Sequence, residues 1–331
     1  MAPPPRTKSL PPPAFKAFFP KQKTTVYSDI PPARPSAPHN IRTLAWNPLG
    51  TLVATGAGDR TLRIWNPEKN QVKNSTELRG HAGAVERVAW NPVMEAELAS
   101  VGSDGIVRFW DVRQRSEIGR VDVRGEGFTL AWKPDGSELV VGKKDDTLLC
   151  LDRATLSIIS THRQSLQTNQ TFFGWAGQHL FLTTGDGTVK IARYPPPAPD
   201  TNFPTIHTLN GHTSSCYCID ISPAGTYVAV GGSDALISLW DTTDWVCQRT
   251  LTSIQGPVRS VSFSFDGSYV VGGTDEGSAG LEIAHTESGE AVWRIEERSP
   301  TPCVQWHPSR YALAYSVDSV GLKIVGGLGG V

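Results

Sequence analysis

One phrase returns seven times along this chain. A short alternating strand ends in a bulky residue, and a Pro/Gly turn then leads into another strand. The bulky anchors are Trp46, Trp90, Trp132, Trp175, Ile221, Phe263 and Trp306, separated by 44, 42, 43, 46, 42 and 43 residues. A period of about 40–45 residues is that of a four-stranded propeller blade. Seven even spacings therefore predict an all-β ring of seven blades.

A second mark follows each anchor by 11–14 residues: Asp59, Asp104, Asp145, Asp186, Asp234, Asp275 and Asp318. An aspartate there can accept backbone amides of the tight turn between second and third strands, where glycine tolerates positive φ. Six residues later the third strand is expected to end, at Trp65, Trp110, Leu151, Ala192, Trp240 and, in the last blade, Ile324. The sixth blade carries extra residues in GTDEGSAGLEIAH (273–285), which leaves Leu281 and Ala284 as alternatives. Strands alternate as half-buried strands should, as in Ile106–Trp110, and no sustained helical period is visible. Each blade must cover its neighbour, so the ring has to close. Thr24-Thr25-Val26-Tyr27 is the candidate strand for closing it on the last blade. The expected domain is then 24–331, with 24–40 serving as closing strand and linker.

Residues 1–23 differ from the rest. Eleven of the 25 prolines fall within residues 1–40, in runs such as Pro3-Pro4-Pro5 and Pro11-Pro12-Pro13. Proline lacks an amide donor and favours an extended conformation, so a disordered tail is predicted for 1–23. Phe15, Phe18 and Phe19 form an apolar island in it. They can pack on the propeller itself or serve as a docking motif. Arg6, Lys8, Lys16, Lys21, Lys23 and Arg34 against Asp29 make residues 1–40 net +5, on a body of net −6. A basic tail can contact nucleic acid or an acidic protein surface.

Catalytic constellations are missing from the sequence. GSELVVGKK at 136–144 departs from a phosphate-binding loop in spacing and lies across a strand. Cys216 and Cys218 are two apart, a spacing that directs both to one strand face, with no further Cys/His pair to complete a zinc site. The five scattered cysteines suit reduced thiols. No secretory signal or apolar run of transmembrane length is read. The expectation is a non-enzymatic chain without cofactor, metal or small-molecule substrate.

FWD at 109–111, LWD at 239–241 and Gly-His at 80–81 and 211–212 resemble the WD-repeat signature. The resemblance implies a structural tetrad of histidine, hydroxyl, aspartate and tryptophan within a blade. Blade two matches throughout with His81, Ser100, Asp104 and Trp110. Blade five has His212, Asp234 and Trp240, but Val230 where the hydroxyl is expected. The other blades are degenerate, so packing is expected to hold their edges. Asp59, Trp65, Asp145 and Asp186 read as structural by the same repeat logic.

Several stretches go further: VVGKKDDTL (140–148), HLFLTTGDGTVKI (179–191), SDALISLWD (233–241), PVRSVSFSFDGSYV (257–270) and SPTPCVQWHP (299–308) resemble the subunit 3 family of the THO complex. The chain departs from that family in a shortened loop around Ser319-Val320. The resemblance implies a nuclear scaffold that couples transcription to mRNP packaging and mRNA export within a TREX-type assembly, docked on larger helical subunits. RNA contact is expected chiefly from the basic tail. Lys143 and Lys144 share a turn with Asp145 and Asp146, which offset them. A different job, substrate receptor of a cullin-type ubiquitin ligase, is suggested by Trp110-Asp111-Val112-Arg113, which matches the WDxR adaptor-docking pattern. The plain alternative is an ordinary repeat ending followed by a surface arginine.

Overall fold

The computed structural model describes residues 8–28, 40–68, 75–196, 202–276, 280–317 and 321–326. It is a seven-bladed β-propeller: seven four-stranded antiparallel sheets, six of them built from strands consecutive in sequence. Blade two is representative, with Val85–Trp90 innermost, then Glu97–Gly102, Ile106–Asp111 and Ser116–Asp122 at the rim. The seventh sheet is composite. Thr24–Tyr27 pairs with Gly321–Val325, with Tyr27 opposite Leu322, and forms the rim strand of that sheet.

Alternation gives each sheet two apolar faces, and each face is buried against the next blade. The core is consequently a circle of wedges. Between blades two and three, for example, Phe109, Val121, Trp132, Leu139 and Leu151 pack together. Hydrogen bonds cross every wedge as well, so the degenerate blades are not held by packing alone. Trp46, Trp90 and Trp132 donate their indole N–H groups to carbonyls of Gln305, Ala45 and Ala89 in the preceding blade, at 3.2, 2.9 and 3.1 Å. At the other junctions, polar side chains accept inner-strand amides of the next blade. Thr129 Oγ1 accepts Thr171 N–H (3.1 Å), Gln170 Oε1 accepts Ile219 N–H (3.2 Å), Asp220 Oδ2 accepts Phe263 N–H (2.8 Å) and Ser262 Oγ accepts Trp306 N–H (3.0 Å).

Three sequence expectations shift. The strand of blade four ends at Phe173, which faces Leu180 as Trp90 faces Leu98. Trp175 lies beyond it in the turn, 54% exposed, and reaches the Ser222 carbonyl at 2.9 Å. In blade six Ala284 takes the third-strand position, opposite Val270, and in blade seven Val325 rather than Ile324 does so, opposite Leu313. Cys216 and Cys218 do not share a face. A bulge between them sends Cys216 into one wedge and Cys218 into the next, because one extra residue breaks the period of two.

The N-terminal stretch is described from residue 8, and it is not extended. Pro12–Phe18 is a helix that continues into a 3₁₀ turn, Phe19–Lys21. The proline run permits this because the first helical turn needs no N–H partners and proline φ suits it. Phe15 and Phe19, four apart on one helix face, are 0% and 1% exposed. They pack on Tyr269, Trp306 and Tyr311 of blades six and seven, with Phe15 stacked 4.0 Å from Tyr269. Of the two readings of the apolar island, the structure has it packed on the propeller itself. Residues 1–7, including Arg6, lie outside the described residues, as do Asp318, Ser319 and Val320.

Candidate functional site

Polar clusters in blades one, two and five pin the loops that a partner would meet. In blade two, Trp110 Nε1–H donates to Ser100 Oγ (2.8 Å) and Ser100 Oγ–H to His81 Nε2 (2.8 Å). His81 Nδ1–H then faces Asp104 at 3.0 Å; the tautomer follows from these partners. Asp104 also accepts Ala82 N–H at 2.8 Å, tying the loop before the blade to its central turn. Burial lowers the His81 pKa against the opposing pull of Asp104. Burial alone would raise Asp104, yet the Ala82 amide and His81 bring it below the usual carboxylate range.

Blade five carries the same chain of bonds with its hydroxyl moved. Val230 offers none, but Ser238 sits directly across the ladder from it. Trp240 Nε1–H donates to Ser238 Oγ (2.8 Å), which contacts His212 Nε2 (2.8 Å), and His212 Nδ1 meets Asp234 at 2.9 Å. Ser238 is the residue that the repeat register did not point to, since that register places the hydroxyl on the second strand. In blade one Arg63 reaches Asp59 at 2.9 Å, and Trp65 Nε1–H donates to Thr55 Oγ1 at 3.0 Å. Burial would raise Asp59, but the Arg63 and Thr61 hydrogen bonds hold it at about 2. Asp145 and Asp186 serve only their own turns, with Lys143 Nζ 2.8 Å from Asp145 and Thr188 Oγ1 2.9 Å from Asp186.

The cations named from sequence are scattered. Lys16 pairs with Glu290 at 2.6 Å, and Lys144 pairs with Glu126. Lys8, Lys21 and Lys23 are exposed along the arm. Arg113 is 69% exposed, pairs with Glu95 and lines a groove of about 590 Å³ between blades one and two. A neighbouring groove of about 520 Å³ shares Leu49, Glu95, Ala96 and Arg113 with it and bears exposed Val93 and Met94. Among the described residues no three His, Cys, Asp or Glu side chains gather as a metal cradle, and no helix is long and apolar enough to cross a membrane. The buried Cys216 thiol is pushed up to about 12 by desolvation, a direction that opposes nucleophilic use.

Residues 35–66, 72–111, 203–241 and 245–279 match the family model described as WD domain, G-beta repeat. These fall in blades one, two, five and six. Across 285 residues the chain is 36% identical to THO complex subunit 3 of Arabidopsis thaliana, covering 86% of this chain and 88% of that one. The chain belongs to the THO complex subunit 3 family. An alignment of 285 of the 331 residues takes in blades three and four, which the generic repeat model largely leaves unmatched. Two further relatives share the WD architecture over a smaller part of their own length. WD repeat-containing protein AAC3 of Dictyostelium discoideum is 32% identical over 83% of this chain and 61% of its own. F-box-like/WD repeat-containing protein TBL1X of Mus musculus is 28% identical over 73% and 57%.

Two groups at blade junctions, buried His307 and half-buried Asp220, give opposing pH responses. His307 Nε2–H donates to the Gly50 carbonyl (2.9 Å), joining blade seven to blade one, and burial lowers its pKa from 6.5 to about 4. The unfolded chain therefore takes up a proton near pH 6.5 that the folded chain refuses. Stability falls as pH drops through that window, by about 3 kcal/mol in all. Asp220 acts in the opposite sense. Desolvation raises it from 3.8 to about 7 against its two amide donors, so stability falls as pH rises from about 4 to about 7. Denaturant midpoints measured from pH 4 to 7 should thus rise steeply with pH in Asp220→Asn and fall with pH in His307→Gln. Parallel profiles in the two variants would refute both assignments.

Proposed function

We propose that the chain is a non-catalytic scaffold subunit of a THO-type nuclear complex, acting where transcription is coupled to mRNP packaging and mRNA export. The observation that carries this reading is the identity to a THO complex subunit 3 over nearly the whole of both chains. Physical form agrees with it. A closed ring with locked junctions presents two loop faces and a rim at fixed relative positions, which suits simultaneous docking of several proteins. Larger helical THO subunits are the expected partners. RNA is contacted indirectly or through Lys8, Lys21 and Lys23 on the arm, since Lys16, Lys143 and Lys144 already have carboxylate partners. Removing the arm's exposed lysines should reduce both RNA affinity and its salt slope. An unchanged slope removes the arm as an RNA contact.

The rival reading, a cullin-ligase substrate receptor, draws on the exposure of Arg113 beside the groove between blades one and two. Affinity purification from nuclear extract, with and without nuclease, separates the two. Nuclease-resistant recovery of THO subunits, retained in Arg113→Ala, is expected. Recovery of a cullin adaptor without THO subunits, lost in Arg113→Ala, would overturn the scaffold reading.

A further inference from the structure

The N-terminal arm is fastened at its first described residues by a network that converges on one carboxylate. Asp266 lies in the loop between the two inner strands of blade six. Its Oδ2 accepts Ser9 Oγ–H at 2.8 Å and Tyr311 O–H at 2.7 Å. Tyr311 in turn accepts the Leu10 N–H at 2.9 Å, while Tyr269 O–H donates to the Leu10 carbonyl at 2.8 Å. Ser268 Oγ lies 3.3 Å from Ser9 Oγ. Leu10 is thus held by both of its main-chain groups, and Ser9 by its hydroxyl, just ahead of the helix that carries Phe15 and Phe19. Ser9 itself is exposed. Upstream stand Arg6 and Lys8, three residues and one residue before it.

We propose that Ser9 is a phosphorylation site for a serine/threonine kinase that selects basic residues upstream of its target, and that phosphate on Ser9 releases the arm from blades six and seven. In the transfer, Ser9 Oγ attacks the γ-phosphorus of a magnesium-bound nucleoside triphosphate. The new O–P bond forms as the bond from that phosphorus to the β–γ bridging oxygen breaks. The nucleoside diphosphate leaves, and the hydroxyl proton passes to the kinase's catalytic base.

The consequence follows from the contacts. A serine hydroxyl donates to Asp266; a phosphoserine is mostly the dianion near pH 7, with about −1.5 to −2 charges, and in that form its oxygens only accept. The hydrogen bond is replaced by repulsion between two anions at contact distance. Burial would raise the Asp266 pKa, but donors from Ser264, Tyr311, Ser268 and Ser9 hold it below the usual range, so it meets the phosphate ionised. No arginine or lysine is among those donors. Because Leu10 is held by main-chain bonds, the kinase must act on a transiently undocked arm, and the phosphate then prevents its return. This is a population shift rather than a forced opening. Release uncovers Phe265, Tyr269, Trp306 and Tyr311 on the ring and frees Phe15, Phe18 and Phe19 for a partner.

The test uses the purified full chain with Mg-ATP and the catalytic subunit of cyclic-AMP-dependent protein kinase. The phosphate is located by mass spectrometry, and arm docking is followed by the rate of tryptic cleavage after Lys16 and Lys21. Phosphate is expected at Ser9, with cleavage accelerated by about tenfold or more. Ser9→Ala should accept no phosphate at this position and keep slow cleavage; Ser9→Glu should reproduce part of the acceleration. In Asp266→Asn, compared with its own unphosphorylated rate, the phosphate should have little effect. Phosphate found only elsewhere, such as at Thr7, overturns the site. Phosphorylated Ser9 with unchanged cleavage overturns the release, and equal acceleration in Asp266→Asn overturns the repulsion.

Discussion

Phe15→Ala should lower the unfolding free energy by about 3–5 kcal/mol, and Phe19→Ala by a similar amount. Both rings are fully enclosed, although they lie outside the seven blades. Phe15 stacks on Phe19 at 4.9 Å and on Tyr269 at 4.0 Å, and it meets Trp306 and Tyr311 edge-on. Truncation leaves a cavity that the ring cannot collapse into, because Trp306 and Tyr311 are themselves fixed in the junction between blades six and seven. The two substitutions share contacts, so their double variant should lose less than the sum. Phe18→Ala is the control. Its ring is only partly buried, with its centroid 6.5 Å from that of Tyr311, and a loss of about 1 kcal/mol or less is expected. Urea denaturation of the three variants decides the matter. Losses below about 1 kcal/mol for both enclosed rings would mean that the arm is an ornament on the fold.

Ser238→Ala should cost about 2–4 kcal/mol, an effect that a solitary serine in a degenerate repeat would not suggest. One oxygen serves two buried partners, Trp240 Nε1–H and His212 Nε2, and alanine leaves both unpaired. His212 then loses the contact that orients it toward Asp234, and the loop before blade five loosens with it. Ser100→Ala should cost a similar amount in blade two, where Ser100 is completely buried. Moving the hydroxyl back across the ladder is the sharper test. Val230→Ser combined with Ser238→Val rebuilds the blade-two arrangement and should recover most of the loss. Chemical denaturation of the single and double variants gives the numbers. An unchanged midpoint in Ser238→Ala would show that this chain of bonds contributes nothing.

The blade count was readable because it rests on seven independent anchors, and a single misplaced one cannot change it. Trp175 shows the limit. Its spacing was acceptable, but only pairing geometry reveals that Phe173 holds the buried position and that tryptophan has moved into the turn. Ser238 was hidden for a related reason. The sequence register asks which residue stands at a given offset, whereas the site asks which oxygen lies at a given point in space. In a ladder, two strands can supply that oxygen. Asp220 and Gln305 were unreadable as junction residues because their partners are amides more than forty positions away or at the other end of the chain. The helix in the arm is masked in the sequence by its proline run, which favours extended chain, though a first helical turn accepts proline and the four-residue spacing of Phe15 and Phe19 is helical. The groove around Arg113 belongs to three-dimensional neighbours, and the pairing of Arg113 with Glu95 has no local signal.

The scaffold account is tested most directly by assembly. A THO core of the larger helical subunits, prepared without its subunit 3, should take up this chain in fixed stoichiometry. Size-exclusion chromatography with light scattering, run after nuclease treatment, would show one propeller per binding position migrating with the core. A chain that is folded by its denaturation profile, yet elutes alone beside an intact core, would contradict the account.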